Sequence, residues 1–189
     1  VGRRADSASR VASQLGLWLS DDARVKARRD TLGQLVAGFA GDAAVASVVG
    51  RELSSPESSE ETRRLLLKTL ADQSSLPLHD SWVAPIEKQL VAKSPEDVEL
   101  GLSVASAIQT DKFKTRFAEI SADKSRSTLL RVAALEAASG RDARLSEPAF
   151  ALLTGLLSGD ATAAESARAA QLLGNASLTP AQLVDLAPH

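Results

Sequence analysis

Hydrophobic residues along this chain recur three and four positions apart, the spacing of one buried helical face, and almost nowhere in the strict alternation of a half-buried strand. The clearest stretch is 78–109. A first helix over 81–92 carries Val83, Ile86, Leu90 and Val91 on one side, with Pro85 in or just past its first turn. Ser94-Pro95-Glu96-Asp97 then announces a second helix. Ser94 suits the cap, Pro95 the first helical position, and the acids oppose the positive end of the helix dipole. Val98, Leu102, Ala105 and Ile108 form its stripe, so the two read as one hairpin.

The remaining segments fall into similar pairs. A helix over 5–19 has the stripe Ala8, Val11, Ala12, Leu15 and Trp18, and Ser20-Asp21-Asp22 ends it and caps the next, 24–39, which buries Val25, Leu32, Leu35, Val36 and Phe39. After Gly41-Asp42 a shorter helix runs to about Leu53, Ser54-Ser55-Pro56-Glu57 breaks the chain, and 62–71 follows with Leu65, Leu66, Thr69 and Leu70 inward. The longest polar break, Gln73-Ser74-Ser75-Leu76-Pro77, precedes the hairpin described first. Beyond it come 111–120 with Phe113, Phe117 and Ile120, and 125–139 with Leu129, Val132, Ala133, Leu135 and Ala137, stopped by Gly140. A further pair joins 147–157, with Pro148 near its start, to 161–173, capped by Asp160 and closed by Gly174, and Thr179-Pro180-Ala181-Gln182 opens a final short helix.

First helices of the pairs thus begin near 42, 80, 111, 146 and 179, an interval of roughly 31 to 38 residues, the signature of stacked helical repeats. One hairpin cannot cover its own apolar stripe, so neighbouring hairpins must bury it by stacking. Small side chains at Ala133, Ala134, Ala137, Ala138, Ala163, Ala164, Ala167, Ala169 and Ala170 are expected where adjacent repeats touch, with Ala134 and Ala170 the positions where a larger residue would overpack the stack.

Composition agrees with this pattern and narrows the function. Hydrophobic residues make up 44% and aromatics 3% of 189 residues, and Leu with Ala supply about a third, a helical balance. A net charge of −2 provides no global field toward nucleic acid or an anionic membrane. Cysteine is absent, which removes disulfides, thiolate metal sites and covalent haem attachment from these residues. No apolar run approaches the roughly 20 residues that span a bilayer, so direct membrane insertion is not expected, and Val1-Gly2-Arg3-Arg4 lacks the apolar segment of a secretion signal. The chain contains no Met, and the expectation is a single repeat domain over 1–189 that is a fragment of a longer protein.

Helical pairs of this length, with a Pro in or near the first helix at Pro85 and Pro148 and a basic residue early in the second at Arg63, Arg64 and Arg168, resemble HEAT or armadillo-like repeats. That resemblance implies an all-α, right-handed superhelix of about five hairpins whose second helices line a concave face. The Ala/Leu-rich run from Arg131 through Leu186, ending in Leu178-Thr179-Pro180-Ala181-Gln182-Leu183, also resembles the HEAT-like region of large planctomycete-type multidomain proteins, which carry a beta-propeller-like, dehydrogenase-like part before the repeats and a c-type haem domain after them. It implies a periplasmic or membrane-associated setting. No haem-binding motif occurs here, so only the scaffold part carries over.

Few residues suggest chemistry. His79 and His189 are the two histidines, far apart and without a metal-ligand partner at helical spacing. His79-Asp80-Ser81 invites a hydrolase reading, yet a triad is assembled from distant positions, and Asp80 or Ser81 fits a helix cap better. The acid pairs Asp21-Asp22, Glu60-Glu61 and Glu96-Asp97 lie at expected helix starts, where the dipole explains them. Basic residues concentrate in the second helices: Arg24, Lys26, Arg28 and Arg29, then Arg63, Arg64 and Lys68, Arg126 and Arg131, and Arg168. On a concave face Arg28, Arg29, Arg63, Arg64, Lys68, Arg126, Arg131 and Arg168 would form, in part, a discontinuous positive stripe for an acidic protein segment or a phosphate backbone. The competing assignment is pairing with Asp30, Glu60, Glu61, Glu136 and Glu165 on the same helices, or solvent exposure. Without aromatics to stack bases, these helices do not suit nucleic acid. Trp18 and Trp82 are core residues or partner anchors. The expectation is a non-enzymatic scaffold, without cofactor, that contacts another protein or flanking domains of the same polypeptide. The alternative is the scaffold segment of a redox multidomain enzyme whose chemistry lies outside this chain.

Overall fold

The computed structural model describes residues 2–73, 75–108, 110–138, 144–159 and 161–187, with side chains for all of these except 2–6 and 8. Gln109, Ser139, Gly140, Asp160 and His189, and the side chain of Ala8, therefore lie outside the described residues. The chain divides into two compact units, Val1–Asp111 and Lys112–His189. Every regular element among the described residues is helical.

In the first unit the elements are α1 (Gly2–Leu19), α2 (Asp22–Ala27), α3 (Arg29–Phe39), α4 (Ala43–Ser54), α5 (Glu60–Ala71), α6 (Asp80–Leu90) and α7 (Pro95–Ala107). Their starts follow from side-chain caps: Asp21, Asp42, Ser59 and Ser94 each accept a hydrogen bond from an amide in the first turn of α2, α4, α5 and α7. The single helix expected over 24–39 is instead two, broken at Arg28, whose amide donates to the carbonyls of Arg24 and Val25 and closes α2. At α6 the cap position falls to His79, with no side-chain capping bond, and Asp80 is the first helical residue, so neither Asp80 nor Ser81 caps as expected.

These helices pack in two rows. In one, α1 lies against α4 and α4 against α6; in the other, α3 lies against α5 and α5 against α7. Short connectors join the rows, α4 packing on α5 and α6 on α7. Between them lie Leu15, Leu32, Val45, Val49, Leu66, Leu67, Leu70, Ile86, Leu90 and Val98, all essentially removed from water. Trp82 is fully buried and donates its indole N–H to the Ala46 carbonyl of α4 at 2.9 Å. That bond satisfies the one polar atom of a large core side chain. Close approach of α4 and α6 depends on Gly50, because a Cβ there would stand 1.9 Å from the Ser81 hydroxyl oxygen. Gly101 plays the same part between α7 and the end of α6, where a Cβ would meet that of Gln89 at 2.9 Å.

A one-turn 3-10 helix, Asp111–Phe113, precedes α8 (Lys114–Ala122), and α9 (Thr128–Ala138), α10 (Glu147–Ser158), α11 (Ala163–Asn175) and α12 (Pro180–Leu186) complete the second unit. Here α8 packs on α9, α10 on α11, and α9 on α11. Val132, Leu135, Phe150, Leu153, Leu172 and Leu173 are among the buried residues of its core. Thr162 caps α11 and Thr179 caps α12, each in a reciprocal pair with Glu165 and Gln182. Gly174 lies within α11 and does not close it.

Several stripe positions differ from expectation. Val91 is 51% exposed and Leu129 41%, because α6 ends one residue before Val91 and Leu129 sits in the first turn of α9. Of the nine alanines expected at contacts between repeats, only Ala134 and Ala169 are buried. Ala163, Ala164, Ala167 and Ala170 face water.

Two comparisons test this packing by urea unfolding. Gly50→Ala is expected to cost on the order of 1–3 kcal/mol by forcing α4 from α6, whereas Gly38→Ala at an exposed position of α3, with nothing within 4 Å of the new Cβ, gains about 0.4–1 kcal/mol. Ala134→Leu is expected to be destabilising by a similar 1–3 kcal/mol, while Ala170→Leu leaves the midpoint nearly unchanged.

Candidate interaction surface

Helices α3, α5 and α7 form one row, and on its outer side charged residues pair across helices instead of along them. Arg29 of α3 meets Glu61 of α5 at 3.4 Å, 32 residues away. Arg64 of α5 meets Asp97 of α7 at 3.1 Å, 33 residues away. In the second unit Arg168 of α11 meets Glu136 of α9 at 3.9 Å, again one repeat apart. The pairing thus uses two of the acids expected as same-helix partners, but each reaches from a neighbouring helix. All three pairs are substantially exposed, so each adds little stability and serves mainly to fix which residues face each other.

The other basic residues go elsewhere. Arg63 turns toward the loop before its own helix and donates to the carbonyls of Ser55 and Ser58, while the Ser58 hydroxyl donates to Glu52 at 2.6 Å. Arg28 lays its guanidinium over the Trp18 ring, 4.8 Å from the centroid. Arg126 pairs with Asp123 at 3.3 Å, and Arg131 donates from Nε to the Ser121 carbonyl at 2.9 Å, both at the turn between α8 and α9. The side chain of Lys68, exposed on α5, has no hydrogen-bond or ion-pair partner among the described residues. Of the eight candidate residues, the structure therefore brings Arg29, Arg64 and Lys68 together on one row. Asp30, Glu61, Glu96, Asp97 and Glu99 stand on the same three helices and Asp72 directly follows α5, so that surface carries both signs.

Two clefts flank α5 on this row. One, of about 470 Å³, lies between α3 and α5 and is lined by Arg29, Asp30, Gln34, Ala37 and Leu65 among others. The second, of about 420 Å³, lies between α5 and α7 and includes Arg64, Glu96, Glu99, Leu100 and Ser103. Lys68 and Asp72 line both. Gln34, Asp72 and Ser103 carried no signal in the sequence, because nothing in a helical stripe distinguishes a polar residue beside a groove from one in open solvent. Asp97 was legible only as a dipole partner, although its 33-residue spacing from Arg64 marks the cross-helix pair.

Electrostatics on these surfaces are local. Asp97 raises the pKa of Arg64 through its hydrogen bond and its charge. Hydroxyl donation from Ser94 holds Glu96 below the ordinary carboxylate range, and donation from Ser125 does the same for Asp123. Glu165 is lowered first by the Thr162 amide and then by its hydroxyl.

His79 and Ser81 do meet, with Nδ1 2.7 Å from Oγ. The Ser81 side chain is half-buried, with its hydroxyl packed against Gly50 of α4. The His79 ring also leans on Trp82, centroids 5.9 Å apart. Trp18, half-buried under Arg28, differs from fully buried Trp82. Among the described residues no group of three His, Cys, Asp or Glu side chains is disposed to hold a metal ion, and no helix is long and apolar enough to cross a membrane. Comparison with protein-family models, with curated proteins and with solved structures found no match.

Because the carboxylate form of Glu165 holds the α11 cap, its contribution is full above the ordinary value of 4.5 and is lost as pH falls through the lower folded value. Glu165→Gln keeps a capping acceptor but cannot titrate. Its acid-unfolding curve, followed by circular dichroism below pH 4.5, is expected to be shallower than that of the parent.

Proposed function

We propose that the chain is a non-enzymatic scaffold, each unit a segment of a right-handed α–α solenoid of the HEAT or armadillo kind, and that the α3–α5–α7 row of the first unit receives an extended segment of another protein. The order of packing, α1–α4–α6 beside α3–α5–α7, supports the solenoid assignment: each helix contacts its counterpart one hairpin away. Helix starts at Ala43, Asp80, Lys114, Glu147 and Pro180 lie 37, 34, 33 and 33 residues apart, the interval expected of such repeats.

The observation that carries the binding role is the shared wall of the two clefts. Lys68 and Asp72 line both, so the grooves either side of α5 adjoin along one helix. An extended polypeptide crossing the row would lay apolar side chains against Ala37, Leu65, Ala71 and Leu100 and set charges against unpaired Lys68. With both signs on the row, recognition would be by charge pattern rather than net charge.

Selection from a displayed library of random peptides measures this directly. Peptides retained by the parent chain are expected to lose about tenfold or more in affinity against Ala37→Trp and Ser103→Trp, which fill the two clefts, and against Lys68→Glu. Ser47→Trp, at an exposed position of α4, is the control expected to bind as the parent does. Retained peptides that bind all four variants equally would remove the row from the function.

A further inference from the structure

A third cleft, about 560 Å³, opens in the second unit between the α8–α9 turn and the start of α10. Its volume falls in the range of small-molecule sites. Its chemistry differs from that of the clefts beside α5. Among the described residues, the ionisable side chains lining it are Lys124 and Arg131, both cations. Arg131 is half-buried, and its Nε–H is held by the Ser121 carbonyl, which fixes the guanidinium plane while leaving the terminal amino groups without a partner. Among the described residues Lys124 has no partner either. The nearest acids in sequence are already engaged: Glu119 by Arg116, and Asp123 by Arg126 and Ser125. Glu147, the first residue of α10, is exposed and does not line the cleft.

The remaining wall is apolar, formed by Leu135, Leu152, Pro148 and Ala149. Between the two surfaces stands Ser146, which occupies the cap position of α10 without making a side-chain capping bond, so its hydroxyl is free to donate. Two unneutralised cations and a free hydroxyl beside an aliphatic wall match a ligand with an anionic head and an apolar body. A planar carboxylate suits a guanidinium whose orientation is already fixed.

We propose that this cleft binds a small amphipathic carboxylate, its head on Arg131 and Lys124 and its hydrocarbon against Leu135 and Leu152. The site is independent of the row formed by α3, α5 and α7, and lies wholly within the second unit. Calorimetric titration of the full chain with octanoate, octan-1-ol and inorganic phosphate tests it. Octanoate is expected to bind one per chain, with the alcohol and phosphate each about tenfold weaker or worse, since each offers only half of the match. Lys124→Gln, at an exposed residue without partners, is expected to weaken octanoate severalfold. Ala151→Glu, which sets a carboxylate on the cleft wall at an exposed position, is expected to abolish binding while the helical circular dichroism is unchanged. The proposal is overturned by octanol or phosphate binding as tightly as octanoate, by octanoate affinity that survives both substitutions, or by the lack of saturable heat at millimolar octanoate.

Discussion

The approach of α4 to α6 is the constraint on which the first unit depends. Fully buried Trp82 ties its one polar atom to the Ala46 carbonyl of α4, while Gly50 lets the Ser81 side chain lie directly against the α4 backbone. A large side chain and a missing one thus act together: the indole sets the separation near one point of contact, and the glycine removes the obstacle at another. Once α6 is seated, the short connector at Lys93 and Ser94 delivers α7 onto α5, and the second row follows from the first.

Much of this is legible in the sequence. The 3.6-residue stripes, the caps at Asp21, Asp42, Ser94 and Thr179, and the interval between first helices all correspond to observed elements, because each rests on local chemistry or on a period that one sequence contains. Legibility failed where the deciding interaction is tertiary or depends on a terminus. The break at Arg28 has no glycine or proline to announce it. The alanines of α11 look like contact residues by size alone, yet only Ala169 faces the core, since a small side chain is equally compatible with a tight interface and with water.

For the candidate surface, residue type was visible and partner was not. Eight basic residues could be named from composition and placement, but which of them remain unpaired depended on acids a whole repeat away. Arg63 turning to the Ser55 and Ser58 carbonyls, while its neighbour Arg64 crosses to α7, is the plainest case: adjacent residues on a helix point about 100° apart and serve different neighbours. Lys68 and Lys124 stand out because the acids near each of them are turned elsewhere or left at a distance, a property no linear pattern encodes.

The cross-helix pairs also give the stack a direction. On α5, Glu61 looks back to α3 and Arg64 looks forward to α7, so this helix carries complementary charge on its two flanks and would match a copy of itself placed one step along the row. Between α9 and α11 the sense is opposite, with the acid on the earlier helix and the base on the later. A whole hairpin could therefore be duplicated within the first unit without bringing like charges together. The same hairpin grafted between α9 and α11 would put its acidic flank against Glu136 and its basic flank against Arg168, so the ladder polarity distinguishes the two units even though their helices share one period.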